Sequence, residues 1–182
     1  MPFSSIQDVQ DEIRNHFFTP ASLSRAVAFA EAERQREGWF NGELVYLFSL
    51  MKKREAIKSW FEYSTPDRKR RDLKVELADA AVVIEIKAAA TFYKGGTVGI
   101  RRWATDCANE VPKFLTLPAT NHYVLLFAYR APQESDWKAL VNKTQALVNE
   151  EALRVSIAMP RPPDSTPGGE LSIGWLQVST QV

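Results

Sequence analysis

Residues 71–87 read Arg71-Asp72-Leu73-Lys74-Val75-Glu76-Leu77-Ala78-Asp79-Ala80-Ala81-Val82-Val83-Ile84-Glu85-Ile86-Lys87. The first seven alternate polar and apolar side chains, the period of a strand with one buried face. The last six form a second strand candidate, strongly apolar apart from Glu85 and Lys87. Two strands so close in sequence predict an antiparallel hairpin. A turn centred between Ala78 and Asp79 sets Asp72 opposite Glu85. Asp72, Lys74 and Glu76 then share a face with Glu85 and Lys87, while Leu73, Val75, Leu77, Ile84 and Ile86 line the other as core. A register slip of one residue would send Asp72 and Glu85 to opposite faces.

Upstream, Ile6, Val9, Ile13 and Phe17 recur at helical spacing behind a Ser4 or Ser5 cap. Thr19-Pro20 breaks that helix. Ser22 is the expected cap of a second, which ends near Gly38. Asn41 is the expected cap of a third, running through Leu44, Leu47, Phe48 and Met51 to about Arg54, with Glu43 in its first turn. Trp60 to Tyr63 is a short strand candidate. Downstream, 88–99 reads as a loop containing Gly95, Gly96 and Gly99. A helix follows with Trp103, Cys107, Val111 and Phe114 along one side, kinked or split at Pro112. His122 to Tyr129 is almost continuously apolar, as a central buried strand is. Ser135 opens a helix with Trp137, Leu140, Val141, Thr144, Leu147 and Val148 facing in. Arg154 to Met159 is a strand, Pro160 to Gly169 a loop, and Leu171 to Val178 a last strand at an edge.

This order predicts one α/β domain of 182 residues, a central mixed sheet flanked by helices. Residues 1–38 would be a helical extension, 39–130 the core with the site, and 131–182 a C-terminal helix and strands. The formal net charge is +1, which excludes a protein that binds by bulk charge alone. Yet residues 39–113 hold 14 of the 23 Lys and Arg against 10 of the 22 Asp and Glu. One cysteine, Cys107, and two histidines, His16 and His122, are too few for a usual structural zinc site. No apolar run is long enough to span a membrane, and the first residues lack a secretory leader pattern, so a cytoplasmic compartment is expected.

Acid-x-Lys occurs four times, at Asp67, Asp72, Glu85 and Asp136, so the tripeptide alone decides nothing. Only Glu85 and Lys87 lie in a strongly apolar strand, where a charged pair must face water, pair or bind metal. Opposed carboxylates at 72 and 85 repel unless a cation lies between them. Oxygen ligands of this kind suit Mg²⁺ or Mn²⁺.

An acid on one strand, acid-x-Lys on the next and a Glu on a preceding helix together resemble the PD-(D/E)xK nuclease superfamily. That superfamily has the restriction-endonuclease-like fold. The similar stretch runs from about Asn41 to Tyr129. The literal Pro-Asp here is Pro66-Asp67, and Arg71 precedes Asp72; Asp67 lies outside the hairpin and has the wrong parity. The resemblance implies metal-assisted hydrolysis of a nucleic-acid phosphodiester, DNA before RNA. Asp72 and Glu85 would hold Mg²⁺ or Mn²⁺, with the Ile86 carbonyl as a further ligand. Lys87 would orient water or stabilise charge on the phosphate, and Glu43 would match the helix Glu. Asp106 and Lys113 look similar to polar residues of the following helix. Arg68, Arg70, Arg71, Lys94, Arg101 and Arg102 would contact phosphates. No partner is expected in a membrane; a homodimer or larger assembly is open. The alternatives are a nuclease-fold binding module that does not cut, and an interaction domain that pairs through its last strand. Most of the five tryptophans, and Cys107, are expected in the core.

Overall fold

The computed structural model describes residues 2–31, 36–61, 73–90, 103–109, 121–129, 133–151, 155–158 and 163–180. The helices are α1 (Ile6–Phe17), α2 (Pro20–Glu31), α3 (Arg36–Lys53), α4 (described over 103–109) and α5 (Glu134–Glu151). The strands are β1 (Ser59–Phe61), β2 (Leu73–Glu76), β3 (Ala81–Ala90), β4 (His122–Tyr129), β5 (Val155–Ala158), β6 (Asp164–Ser165) and β7 (Leu171–Thr180).

α1 forms where the spacing predicts it. Ser5 caps it, and Asp8 returns its carboxylate to the Ser5 backbone N–H at 3.0 Å, a reciprocal box that satisfies otherwise open donors. Two helix starts differ from expectation. α2 begins at Pro20, where the missing N–H costs nothing. Thr19 supplies the capping oxygens, its Oγ1 accepting from the Ser22 N–H at 3.3 Å and its carbonyl from Leu23 at 2.9 Å. Ser22, buried, is inside the first turn. α3 begins at Arg36, so Gly38 and Asn41 are within it.

The sheet runs β1-β2-β3-β4-β7-β5, with β6 alongside β7. The β3–β4 pair is parallel and every other pair antiparallel. It is thus a mixed sheet flanked by helices, as the element order predicts. All eight residues of β4 are buried, which fits its place between β3 and β7. β7, expected at an edge, is interior: it pairs with β4 on one side and β5 and β6 on the other.

Each face of the sheet carries a core. On one, Leu73, Val75, Ile84, Ile86, Tyr123, Leu125, Phe127 and Ile173 pack with residues of α1, α2 and α3. Phe40 of α3 stacks on Phe127 at 4.0 Å between centroids. On the other, Val83, Val124, Leu126, Ala128, Leu176 and Val178 pack with Trp103 and Cys107 of α4 and Trp137, Leu140 and Val141 of α5. The strict alternation along β4 feeds both clusters. Trp103 and Trp137 are buried; Trp39, Trp60 and Trp175 are partly buried against the first cluster. Cys107 is a buried free thiol. No helix among the described residues is long and apolar enough to cross a membrane.

Candidate active site

The hairpin has the register read from the sequence. Leu73 pairs with Ile84, Lys74 with Val83, Val75 with Val82 and Glu76 with Ala81, and the Leu77 N–H reaches the Ala80 carbonyl at 2.8 Å. Leu73, Val75, Ile84 and Ile86 therefore enter the core beneath α3, and Lys74, Glu76, Glu85 and Lys87 share the opposite parity. Asp72 itself lies outside the described residues, as do Arg68, Arg70, Arg71, Lys94, Arg101, Arg102 and Lys113.

β3 continues beyond its described pairing with β2. Over Glu85, Ile86 and Lys87 its described partners are Val124, Leu125 and Leu126 of β4. Glu85 is 6% exposed. A carboxylate so placed among apolar neighbours needs a compensating positive charge or donor. Lys87, two residues on and therefore on the same side of the strand, donates to Glu85 Oε1 at 3.2 Å. The same ammonium lies 3.6 Å from Glu37 Oε1, in the first turn of α3. Two carboxylates from two elements thus meet on one cationic group. Ile86, fully buried between them in sequence, anchors the strand in the core.

The acid that α3 brings to Lys87 is Glu37. Glu43 was the expected one, placed in a first turn that would begin at Asn41. With the helix starting at Arg36, Glu43 falls six residues beyond Glu37, roughly 9 Å along the axis and about 120° round it. There it serves the helix–helix packing. Its carboxylate meets His16 Nε2 at 2.9 Å and Arg25 Nε and Nη2 at 3.1 and 3.2 Å, joining α3 to α1 and α2. Burial pushes the Glu43 carboxyl up, but the hydrogen bonds from Arg25 and His16 outweigh it and hold the pKa below its ordinary value. The signal that could have found Glu37 is the stripe Glu37, Asn41, Leu44, Phe48 and Met51, spaced four, three, four and three.

That stripe also relocates Asn41. Leu44, Phe48 and Met51 are fully buried under the sheet, and α3 packs over β3. Asn41 continues the buried line one turn before Leu44. Its Oδ1 is covered and accepts no hydrogen bond.

Elsewhere, Glu76 accepts from Ser59 Oγ at 2.5 Å and lies 3.6 Å from Lys74. The Ser59 hydrogen bond is the main cause that keeps its carboxyl below the ordinary value. His122 begins β4 and is buried, and burial pushes its pKa down. Asp106 is half-buried on α4. Among the described residues no group of three or more His, Cys, Asp or Glu is arranged to hold a metal ion. The two carboxylates at Lys87, Glu85 and Glu37, are oxygen donors of the kind a hard divalent cation takes. The chain matches no protein-family model, no curated protein and no solved structure.

Proposed function

We propose that the protein is a metal-dependent nuclease that hydrolyses phosphodiester bonds, with DNA the expected substrate, on a restriction-endonuclease-like core. The observation that carries this is the charged cluster on β3. The buried Glu85 and the half-buried Lys87 pair on β3, and Glu37 closes on Lys87 from α3. The order of elements supports it: helix acid, strand, strand with acid-x-Lys, helix and strand are supplied here by α3, β2, β3, α4 and β4.

Asp72, which precedes Leu73 in the sequence, and Glu85 would hold Mg²⁺ or Mn²⁺, with the Ile86 carbonyl as a further ligand. The cation would acidify a water and offset charge on the phosphate. Lys87 donates a hydrogen bond to Glu85 Oε1. Lys87, on the same strand, would stabilise the phosphate's growing negative charge and orient the attacking water. Glu37, 3.6 Å from that ammonium, would help position it. The basic residues Arg68, Arg70, Arg71, Lys94, Arg101 and Arg102 would bind the phosphate backbone.

The test is cleavage of duplex DNA, single-stranded DNA and RNA with Mg²⁺, Mn²⁺ or chelator. Asp72→Asn and Glu85→Gln are expected to abolish cleavage, and Lys87→Met to slow it by about 10²–10³. Metal-dependent cleavage that survives all three changes overturns the assignment. Nucleic-acid binding with no cleavage under any condition favours a binding module on the same fold.

A further inference from the structure

Between Gly38 and Met51, α3 carries one charged side chain, Glu43, which is turned to His16 of α1 and Arg25 of α2. Phe40, Leu44, Leu47, Phe48 and Met51 are buried toward the sheet. The opposite line of the helix is Gly38, Gly42, Tyr46, Ser49, Leu50 and Lys53, all exposed. Its first charge is Lys53, in the last turn. The outward face of a surface helix ordinarily carries charged residues, and a helix apolar all round is covered all round. Yet Tyr46 is 57% exposed and Leu50 41%. Phe29 of α2, also 41% exposed, stacks on Trp39, which follows Gly38 in sequence. Three of the four large hydrophobic side chains exposed among the described residues are thus gathered along α3.

This line is complementary to a copy of itself. Glycines stand at 38 and 42, and large side chains follow at 46 and 50, in even steps of four. An antiparallel crossing about a two-fold axis near residue 44 lays Leu50 of each copy over Gly38 of the other, and Tyr46 over Gly42. A Cβ built at either glycine meets nothing within 4 Å. The chain's own packing therefore has room for alanine at both positions, and glycine inside a helix destabilises it relative to alanine. Charge agrees with the same crossing. Lys52 and Glu37 flank the line on its Val45 side. The two-fold axis keeps like sides together, so Lys52 in the last turn of each helix comes level with Glu37 in the first turn of the other. No charge is laid on Tyr46 or Leu50.

We infer that the outward face of α3 is the interface of a homodimer, two copies packing antiparallel across Gly38, Gly42, Tyr46 and Leu50. The face is about 22 Å long and about 10 Å wide, below the roughly 800 Å² per partner of a stable interface. The dimer is accordingly weak and concentration-dependent. The inference stands apart from the nuclease proposal, and neither depends on the other.

The experiment is analytical ultracentrifugation of the whole chain between about 1 μM and 1 mM, on wild type, Tyr46→Glu, Leu50→Glu and Gly42→Leu. Wild type is expected to pass from monomer to dimer within that range. Each substitution is expected to weaken the dimer by about 10–100-fold. All three positions are exposed, so melting at low concentration is expected to show folded monomers. Orientation is read from crosslinking. Gly38→Cys and Leu50→Cys proteins, mixed and mildly oxidised, are expected to crosslink to each other and neither to itself; the natural Cys107 is buried. A wild type that stays monomeric throughout overturns the inference and gives the face to an unlike partner. A dimer that survives all three substitutions overturns it too. So does a dimer in which each cysteine variant crosslinks only to itself.

Discussion

Lys87 on β3 holds its Nζ 3.6 Å from Glu37 Oε1 on α3, so one ammonium ties the sheet to the helix lying across it. Glu37 is about half exposed, and such a pair contributes only about 0–1 kcal/mol to folding. Its value is positional, which separates it from Glu43. Glu37→Gln is expected to leave the melting temperature nearly unchanged and to lower metal-dependent cleavage by about 10–100-fold. Glu43→Gln is expected to do the opposite, costing about 1–3 kcal/mol of stability with little effect on rate. Parallel melting and cleavage assays check both; a slow Glu43→Gln enzyme of wild-type stability would restore Glu43 to the site.

The stability supplied by Glu43 is pH-dependent, with a definite sign. Its folded pKa lies below the ordinary value because the Arg25 and His16 hydrogen bonds overcome the effect of burial. A carboxylate with a depressed folded pKa stabilises the protein fully above its unfolded pKa. The contribution is lost as pH falls through the folded value. The gap in melting temperature between wild type and Glu43→Gln is therefore greatest near neutrality and closes on acidification below the carboxylate range. A gap that stays constant across that window contradicts the assigned pairing.

Gly174 on β7 is required by its neighbour. A Cβ at that position would stand 2.7 and 2.9 Å from two ring carbons of Trp137. Trp137 is 1% exposed, so the ring has little room to retreat. Gly174→Ala is expected to destabilise by about 1–3 kcal/mol, the usual cost of overpacking, measured by denaturant unfolding. An unchanged midpoint would show that the ring can move.

Glu55 ends α3 with a positive φ of 59°. Its N–H bonds to the Lys52 carbonyl and that of Ala56 to Met51, the pattern of a left-handed helix terminus. Glycine tolerates that conformation without the Cβ penalty. Glu55→Gly is expected to raise stability by about 0.5–1 kcal/mol; a loss would mean that the glutamate side chain contributes more than its backbone strain costs.

The hairpin register was legible because Leu73, Val75, Ile84 and Ile86 must face one way, which rules out a one-residue slip, and because the short turn at Ala78-Asp79 fixes the pairing within that parity. β4 was legible because a strand apolar at every position after His122 has to be covered on both faces. Helix starts were less so. Ser22 and Asn41 have capping side chains, but Thr19 captured the first turn of α2, and an extra turn preceded Asn41 in α3. Starting α3 late moved its first-turn acid from Glu37 to Glu43. The interior place of β7 was not legible, for Gly174 and Ser172 look like poor core residues. In the fold that side of the strand is small to admit Trp137, while Leu171 and Ile173 fill the other side.

The interior place of β7 has a consequence for biosynthesis. β4 is apolar from Tyr123 onward and takes its second neighbour from residues 171–180, more than forty positions later. During translation, β3 and β4 can associate well before β7 leaves the ribosome. For that interval the nascent chain carries an unprotected hydrophobic edge of eight residues, a template for misassembly between neighbouring chains. Slowing elongation after β4 has emerged but while β7 is still held in the ribosome should lengthen this exposure and increase insoluble product.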